Sequence, residues 1–268
     1  MPTVADISRW FDQVTPLALA EDWDNVGLLV GDANEPVERI MTCLTLTPAS
    51  VEEAVRERAG LVVAHHPLPF KPLPRVTTDT TPGRLVWQLA RGGVAVYSPH
   101  TAFDSAETGI NQRLAEALEL DDIRPLVEPA VDAPPGGTGR RGILRTPCTL
   151  AELGERIARL LHVPGLHRIG EATTSVRQIG IACGAAGTLL GAAHRAGCDT
   201  FLTGEASFHT CLEAEALGIG MLLPGHYATE RHGVERLAEA IQSAFPGTLV
   251  WASRAERDPL AWQAARSE

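Results

Sequence analysis

The sequence predicts an α/β protein made of two pseudo-symmetric lobes with mostly parallel sheets. Apolar, β-branched segments typical of buried strands alternate with segments of helical periodicity, which indicates parallel strands joined by helices. The order strand, helix, strand, connection, strand, helix occurs in residues 39–117 and again in residues 177–240. A repeated unit of this length predicts two similar lobes whose equivalent strand ends face each other across a cleft.

Length, charge and cysteine content restrict the classes of function. The chain has 268 residues, enough to bury a substantial core, and its 23 basic and 33 acidic residues give a formal net charge of −10. This balance disfavours bulk nucleic-acid binding, although a local basic pocket is compatible with it. Five cysteines without a C-x-x-C pair, and no run of about 18 apolar residues, predict a cytoplasmic protein without a membrane span.

The first half starts with an amphipathic helix over residues 6–14. Asp24, Asn25 and Gly27 are turn residues that lead into an apolar strand, and this turn either serves the fold alone or lies at the edge of a site. The patterns that follow predict strands at residues 39–46, 61–64 and 94–97, and helices at residues 48–59, around 82–91 and up to 120.

A segment rich in Pro, Gly and Asp, residues 121–140, marks the boundary between the halves. Beyond it we expect a strand at 142–145 and a helix up to 161 that opens with a capping box from Thr149 to Glu152. The resulting division is lobe A, about residues 1–122 with 220–252; lobe B, about 141–219; a linker, 123–140; and a polar tail, 253–268. We expect the tail to be either partly disordered or bound to a neighbouring subunit.

His65 and His66 stand at the end of a predicted buried strand and are followed by Pro67. Neutral imidazole is a good metal ligand, and the proline relaxes the strict alternation of side chains, so both rings could face one cavity. Taken alone, such a pair can equally be two hydrogen-bonded structural histidines.

Two His-x-x-x-acid motifs occupy matching places in the repeat: His100 with Asp104, and His226 with Glu230. In a helix this interval puts both side chains on one face, about 5 to 6 Å apart. A single motif of this kind is more typical of a surface ion pair. Two of them, each following an apolar strand, together with the histidine pair, favour a ligand site at the carboxyl ends of the strands.

The donor set contains nitrogen and oxygen atoms but no sulfur, which suits Zn²⁺, Mn²⁺, Fe²⁺, Co²⁺ or Ni²⁺ better than Ca²⁺ or Mg²⁺. These candidate groups exceed the needs of one tetrahedral ion, so two divalent ions are the expected number. Paired ions of this type activate water in many hydrolases.

Five segments together resemble the NGG-interacting-factor-three-like family, whose members are often named GTP cyclohydrolase I type 2. They are His65-His66-Pro67, SPHTAFD with Asp104, Thr203-Gly204-Glu205, GHYATE with His226 and Glu230, and WDNVGLLVG at 23–31. The resemblance covers about residues 3–252. It implies a dinuclear metal site with His65, His66, Asp104, His226 and Glu230 as ligands, in a two-lobed subunit of a ring-shaped homohexamer. The linker leaves no room for the domain that some bacterial members insert there.

His100 and Glu205 lie outside the implied ligand set. His100 either supports a ligand and transfers protons or is a packed structural histidine. Glu205 either contacts substrate, orients a ligand or forms a structural ion pair. Cys183 to Gly187 could present backbone N–H groups to a phosphate, but a tight turn between strand and helix is the more usual role of such a sequence. His209 carries a weaker signal, and the remaining histidines are expected to be structural.

These observations lead to two functional hypotheses. The first is a metal-dependent hydrolase acting on a small molecule, with Glu205 or His100 moving protons; the resemblance suggests GTP or a related nucleotide, opened at C8 of its imidazole ring with release of formate. The alternative is a non-enzymatic metal-binding, scaffold or regulatory ring protein. The chain lacks a Gly-x-x-x-x-Gly-Lys motif, which argues against a P-loop NTPase.

Overall fold

Two β-sheets organise the protein in a computed structural model that describes residues 1–263. The first sheet has the spatial order β1 (Gly27–Val30), β4 (Ala95–Ser98), β3 (Leu61–Ala64), β2 (Arg39–Cys43) and β11 (Leu249–Ala252). Strands β4, β3, β2 and β11 run parallel, and β1 pairs with β4 in the antiparallel direction. Parallel pairing follows from the helical connections between these strands.

The second sheet has a parallel centre with antiparallel strands at both sides. Its spatial order is β5 (Leu120–Val127), β6 (Thr138–Thr149), β8 (Ser175–Ala182), β9 (Thr200–Thr203), β10 (Gly220–Leu223) and β7 (His167–Ile169). Strands β8, β9 and β10 are parallel, whereas β7 pairs antiparallel with β10. The two-sheet α/β fold predicted from the sequence is thus confirmed.

The helices pack around these sheets. They are α1 (Val4–Val14), α2 (Pro48–Arg56), α3 (Thr81–Arg91), α4 (His100–Ser105), α5 (Ile110–Ala117), α6 (Leu150–Leu160), α7 (Leu190–Arg195), α8 (Phe208–Leu217) and α9 (His226–Ala244). The predicted capping box is present at α6, where the Thr149 backbone N–H donates to Glu152 Oε2 over 2.8 Å and the Glu152 N–H donates to Thr149 Oγ1 over 3.2 Å. None of the helices within residues 1–263 is both long and apolar enough to cross a bilayer.

The repeat is visible in the order of the strands. Strands β1, β4, β3 and β2 of the first sheet correspond to β7, β10, β9 and β8 of the second, with the same pairing directions. The central strands are buried on both faces: Leu61 and Val63 of β3 join one hydrophobic cluster and Val62 and Ala64 join another. This two-sided burial explains the uninterrupted apolar runs in the sequence.

The boundaries of the lobes differ from the predicted ones at two places. Strand β5 ends at Val127 and β6 begins at Thr138, so both ends of the predicted linker, 123–140, belong to the sheet and the irregular connection is shortened to residues 128–137. Strand β10, placed in lobe A from its sequence, pairs with β9 in the second sheet, while α9 and β11 return to the first. The strand predicted at 142–145 lies within β6, whereas the many polar side chains of β5 and of the two ends of β6 hid the rest of these strands.

The start of the predicted tail is packed against the protein. Ser253 and Glu256 are buried, and Glu53 of α2 accepts hydrogen bonds from the Ser253 hydroxyl and from the backbone N–H groups of Arg254 and Ala255. The side chains of Ser253 and Glu256 therefore bind groups of the fold rather than solvent. Residues 264–268 of the predicted tail lie outside the described residues.

Candidate metal centre

The carboxyl ends of three strands bring the five implied ligands together. His65 and His66 follow β3 directly, Asp104 lies on α4 just beyond β4, and His226 and Glu230 lie on the first turns of α9 just beyond β10. Since β3 and β4 belong to the first sheet and β10 to the second, the cluster contains side chains from both halves of the repeat. This is the arrangement that facing strand ends produce.

Glu230 is the central group of the cluster. Its Oε2 atom lies 2.9 Å from His226 Nε2 and 3.2 Å from His66 Nε2, and its Oε1 atom lies 3.9 Å from His65 Nε2. The Nε2 atoms of His66 and His226 are 3.3 Å apart, and His65 Nε2 lies 3.6 Å from Asp104 Oδ1. All five side chains therefore border one small space.

Several atoms of the cluster are buried without a hydrogen-bond partner among residues 1–263. They are both ring nitrogens of His65 and Oδ1 of Asp104. Leaving such a group buried and unsatisfied costs about 1 to 3 kcal/mol, so native structures rarely do so without a reason. Imidazole nitrogens and carboxylate oxygens that converge with free lone pairs fit a divalent cation of the zinc and iron type.

The two carboxyl groups and two of the imidazoles have displaced pKa values. Burial raises the pKa of Asp104 well above its usual range, with a contribution from the charge of Glu230. Burial acts in the same direction on Glu230, but hydrogen bonds with His226 and His66 outweigh it and hold its pKa far below the usual value. The Glu230 hydrogen bond raises the pKa of His226 to about 9, whereas burial lowers the pKa of His65. Metal binding to such a cluster would displace protons.

His100 is part of this cluster, although the resemblance leaves it out of the ligand set. Each of His65, His66 and His100 offers a ligand atom within 4.8 Å of the others. His100 Nδ1 lies 2.8 Å from Asp24, whose carboxylate also accepts from the Thr101 N–H and hydroxyl groups. Burial opposes ionisation of Asp24, but the hydrogen bonds from His100 and Thr101 prevail and lower its pKa to about 2. The ionised Asp24 therefore holds a proton on Nδ1 and leaves Nε2 free to face the cluster.

Glu205 is placed beside the cluster by the turn after β9. Its Oε1 atom lies 3.0 Å from His226 Nδ1, and its side chain is half exposed. This contact fixes the orientation of the His226 ring, as carboxylates commonly do for metal-binding histidines. This contact agrees with two of the roles open from the sequence, orientation of a ligand and a structural ion pair.

Thr45 is a site residue that sequence reasoning missed. Its hydroxyl lies 2.8 Å from His66 Nδ1. Glu256 in turn accepts the Thr45 and Leu44 backbone N–H groups, over 2.5 and 2.9 Å, and pairs with Arg231 over 2.7 Å. The segment after β11 thus fixes the loop that orients His66. No local pattern could have revealed this, because Thr45 and Glu256 are far apart in the chain.

The glycine-containing turn at Cys183 to Gly187 has a packing role. Gly184 has φ +68°, and a Cβ atom there would lie 2.1 Å from Glu230 Oε1. Its N–H donates to Thr229 Oγ1 over 3.0 Å, and the Cys183 N–H donates to Asn111 Oδ1 over 2.8 Å. Since these donors are already used, the turn supports Glu230 and does not offer them to a phosphate. His209, at the start of α8, is not brought into the cluster.

A cavity of about 730 Å³ opens on the His226 side of the cluster. Among its lining residues are Glu205, His226, Tyr227, Arg231 and Trp262. Its volume falls in the range of small-molecule sites, about 300 to 1,000 Å³. Three of the histidines expected to be structural, His162, His167 and His232, also line it.

Comparisons with known proteins agree with the resemblance. The model of the Duf34/NIF3 (NGG1p interacting factor 3) family matches residues 2–259. A protein of Streptomyces coelicolor named GTP cyclohydrolase 1 type 2 homolog is 34% identical over 235 residues, 86% of this chain and 82% of that relative. NIF3-like protein 1 of Drosophila melanogaster is 33% identical over 264 residues, 96% of this chain and 88% of that relative.

A solved structure has the same fold. The crystal structure of a Bacillus cereus protein related to NIF3 superposes with a TM-score of 0.88, covering 98% of this chain and 99% of the other. The two sequences are 22% identical, so this likeness concerns the fold alone.

Proposed function

The chain belongs to the DUF34/NIF3 family, and from this premise and the geometry of the cluster we propose that it is a hydrolase dependent on two divalent metal ions. The observation that carries the proposal is the convergence of five nitrogen- and oxygen-bearing side chains, among which buried atoms of His65 and Asp104 have no hydrogen-bond partner within residues 1–263. The named relatives support the hydrolase class, since several are called GTP cyclohydrolase 1 type 2 homolog.

His65, His66, Asp104, His226 and Glu230 would hold the metals. Glu230 lies between the two halves of the cluster and is the carboxylate best placed to serve both ions. When bound, two such ions would acidify a water molecule and neutralise negative charge that develops on oxygen in the transition state. Zn²⁺, Fe²⁺, Mn²⁺, Co²⁺ and Ni²⁺ all suit this donor set.

The residues around the ligands supply orientation and proton transfer. Asp24 holds a proton on His100 Nδ1, so His100 Nε2 can take a proton from the attacking water and return it to the leaving nitrogen or oxygen. Glu205 and Thr45 hold the rings of His226 and His66 through their Nδ1 atoms. This directs both Nε2 atoms into the cluster.

We propose a nucleotide such as GTP as the substrate class, on the strength of the relatives' name and the size of the cavity beside His226. The reaction would add water at C8 of the imidazole ring, break its bonds to both ring nitrogens with consumption of two water molecules, and release formate.

Turnover by the metal-loaded protein tests this function. Protein freed of metal with a chelator and reloaded with each of the five metals should hydrolyse at least one member of a panel of nucleotides and phosphoesters. Glu230→Gln should abolish that turnover, whereas Glu239→Gln, an exposed change on the same helix, should not. Activity that persists without metal would remove the hydrolase mechanism, and no turnover on any substrate would favour the scaffold alternative.

The ring-shaped homohexamer implied by the resemblance is also part of the proposal. A solution mass of six times the 28.6 kDa chain would support it, and a monomeric mass would exclude it.

A further inference from the structure

Two exposed aromatic side chains lie beside His100 at the edge of the candidate metal centre. Trp23 is 63% exposed and Phe70 is 48% exposed. Their ring centroids are 6.0 Å apart, and each lies 6.2 Å from the centroid of the His100 ring. Large apolar rings on the surface of a site offer area that a ligand can cover.

The backbone beneath both rings is held in place. Asp24, the neighbour of Trp23, accepts hydrogen bonds from His100 and Thr101, and its side chain is completely buried. Asn25 Nδ2 donates to the carbonyl oxygen of Pro69, the neighbour of Phe70, over 2.6 Å. The two loops are thus tied to each other and to the His100 segment, so the rings project from a fixed base.

Exposure alone would not single out these rings, because Trp87 on α3 is also 48% exposed. Trp23 and Phe70 differ from it in contacting each other and a histidine of the cluster. His100 lies in turn 5.2 and 5.5 Å, centroid to centroid, from the rings of His65 and His66. A molecule resting on the two exposed rings would therefore have its inner edge at the candidate metal centre.

We propose that Trp23 and Phe70 form an aromatic platform on which a planar heteroaromatic ring of the substrate stacks. This inference rests on the proposed function and assigns the ring of the substrate to the His100 side of the cluster. Flat π-systems gain from contact with the face or edge of an aromatic side chain, whereas a phosphate has no π-face to stack. The rings are tilted by 54°, so the ligand would meet the face of one and the edge of the other rather than enter a parallel sandwich.

Binding of GMP and of ribose 5-phosphate to the Mn²⁺-loaded protein tests the platform. The second probe has the same sugar and phosphate but no ring, so it reports any contact of phosphate with metal. Trp23→Ala should weaken GMP binding roughly 10-fold and leave ribose 5-phosphate binding unchanged. Trp23→Phe, which keeps a ring, should restore most of the affinity, and the exposed control Trp87→Ala should have no effect. Calorimetric titration gives all these affinities.

Three binding results would overturn the platform. They are unchanged GMP affinity in Trp23→Ala, an equal loss for both probes, and failure of the wild type to bind any of GMP, AMP and flavin mononucleotide at millimolar concentration. A change in solution mass in Trp23→Ala would assign the rings to a subunit contact instead, and would also overturn it. Metal binding and turnover are measured separately, so metal-dependent hydrolysis that does not depend on Trp23 would refute the platform and leave the hydrolase standing.

Discussion

The two halves of the repeat place the same kinds of side chain at equivalent strand ends but surround them differently. In the first half, the segment before edge strand β1 brings the carboxylate of Asp24 against His100. In the second half, the segment before the equivalent strand β7 leaves the cavity of about 730 Å³ beside His226. His226 instead takes Glu205 as its partner, from the turn after β9.

Because their surroundings differ, the implied ligands His65 and His226 differ in exposure and in protonation. His65, from the first half, is 1% exposed and has no hydrogen-bond partner within the described residues, so burial keeps it neutral. His226, from the second half, is about one-third exposed and is held between two carboxylates that favour its charged form. The repeat therefore supplies the ligand types, and the neighbouring loops decide their protonation and access.

The largest change in metal affinity should follow substitution of Glu230, which contacts side chains from both halves. Glu230→Gln should weaken Zn²⁺ or Mn²⁺ binding by roughly 100-fold or more, because it removes a ligand rather than a supporting contact. Calorimetric titration of the metal-free protein measures this, with Glu239→Gln as the exposed control on the same helix. An affinity close to that of the wild type would mean that the halves do not share a metal through this carboxylate.

The protonation of His226 should make metal affinity depend on pH. Its pKa of about 9 means that the metal-free protein carries a proton there at neutral pH, which a metal must displace. Affinity should therefore rise up to about 10-fold per pH unit from pH 7 towards pH 9 and then level off. Titrations in buffers of different ionisation enthalpy should show release of at least one proton at pH 7.5, and no proton release would contradict the assignment.

The same pKa predicts the pH dependence of folding. Because the folded-state pKa of His226 is raised above that of the unfolded chain, its contribution to the stability of the metal-free protein is complete below about pH 6.5 and is lost as the pH rises through 9. Thermal unfolding of the metal-free wild type and of His226→Gln over this range measures that contribution. The variant should lack it, and identical profiles would argue against the raised pKa.

Matched substitutions in the two halves should change the stability of the metal-free protein in opposite directions. His65→Leu should raise the free energy of unfolding by about 1 kcal/mol, since it removes a buried polar ring without partners. His226→Leu should lower it by about 2 kcal/mol, because Glu230 would lose its principal hydrogen-bond partner while buried. Denaturant unfolding without metal gives both values. A change of the same sign in the free energy of unfolding of both variants would contradict the proposed difference between the halves.

The smallest change in metal affinity should follow loss of the hydrogen bond between Thr45 and His66. Thr45→Val keeps the shape but removes the hydroxyl, and it should weaken metal binding about 10-fold. Thr45→Ser should restore the affinity, because it keeps the hydroxyl. If Thr45→Val and the wild type bind metal equally, the loop fixed by Glu256 contributes to folding only.

Sequence patterns revealed the parts of the site that depend on local order. The strand ending in His65 and His66, the spacing within each His-x-x-x-acid motif and the repeat all have short-range signatures, and the structure brings those side chains together. Asp24 was recognised only as a turn residue that could border a site. Its contact with His100 spans 76 positions, which no periodicity encodes.

The packing of the C-terminal segment from residue 253 also depends on contacts between residues far apart in the chain. Its polar composition indicated a segment outside the core, yet Glu53 accepts the backbone N–H of Ala255 in the tail, Glu256 of the tail accepts the backbone N–H of Leu44, and both carboxylates are buried. Amino-acid composition indicates how unfavourable the burial of a segment is on average. A few specific hydrogen bonds decide whether that segment is in fact buried.

Side chains from both halves of the repeat are expected to hold two metal ions in one space. Anomalous diffraction from crystals of the protein loaded with Zn²⁺ or Mn²⁺ tests it most directly. Two peaks roughly 3.5 to 4 Å apart are expected, one beside His65 and Asp104, the other beside His66 and His226, with Glu230 next to both. An absence of peaks at these residues, or peaks that contact only one half of the repeat, would contradict it.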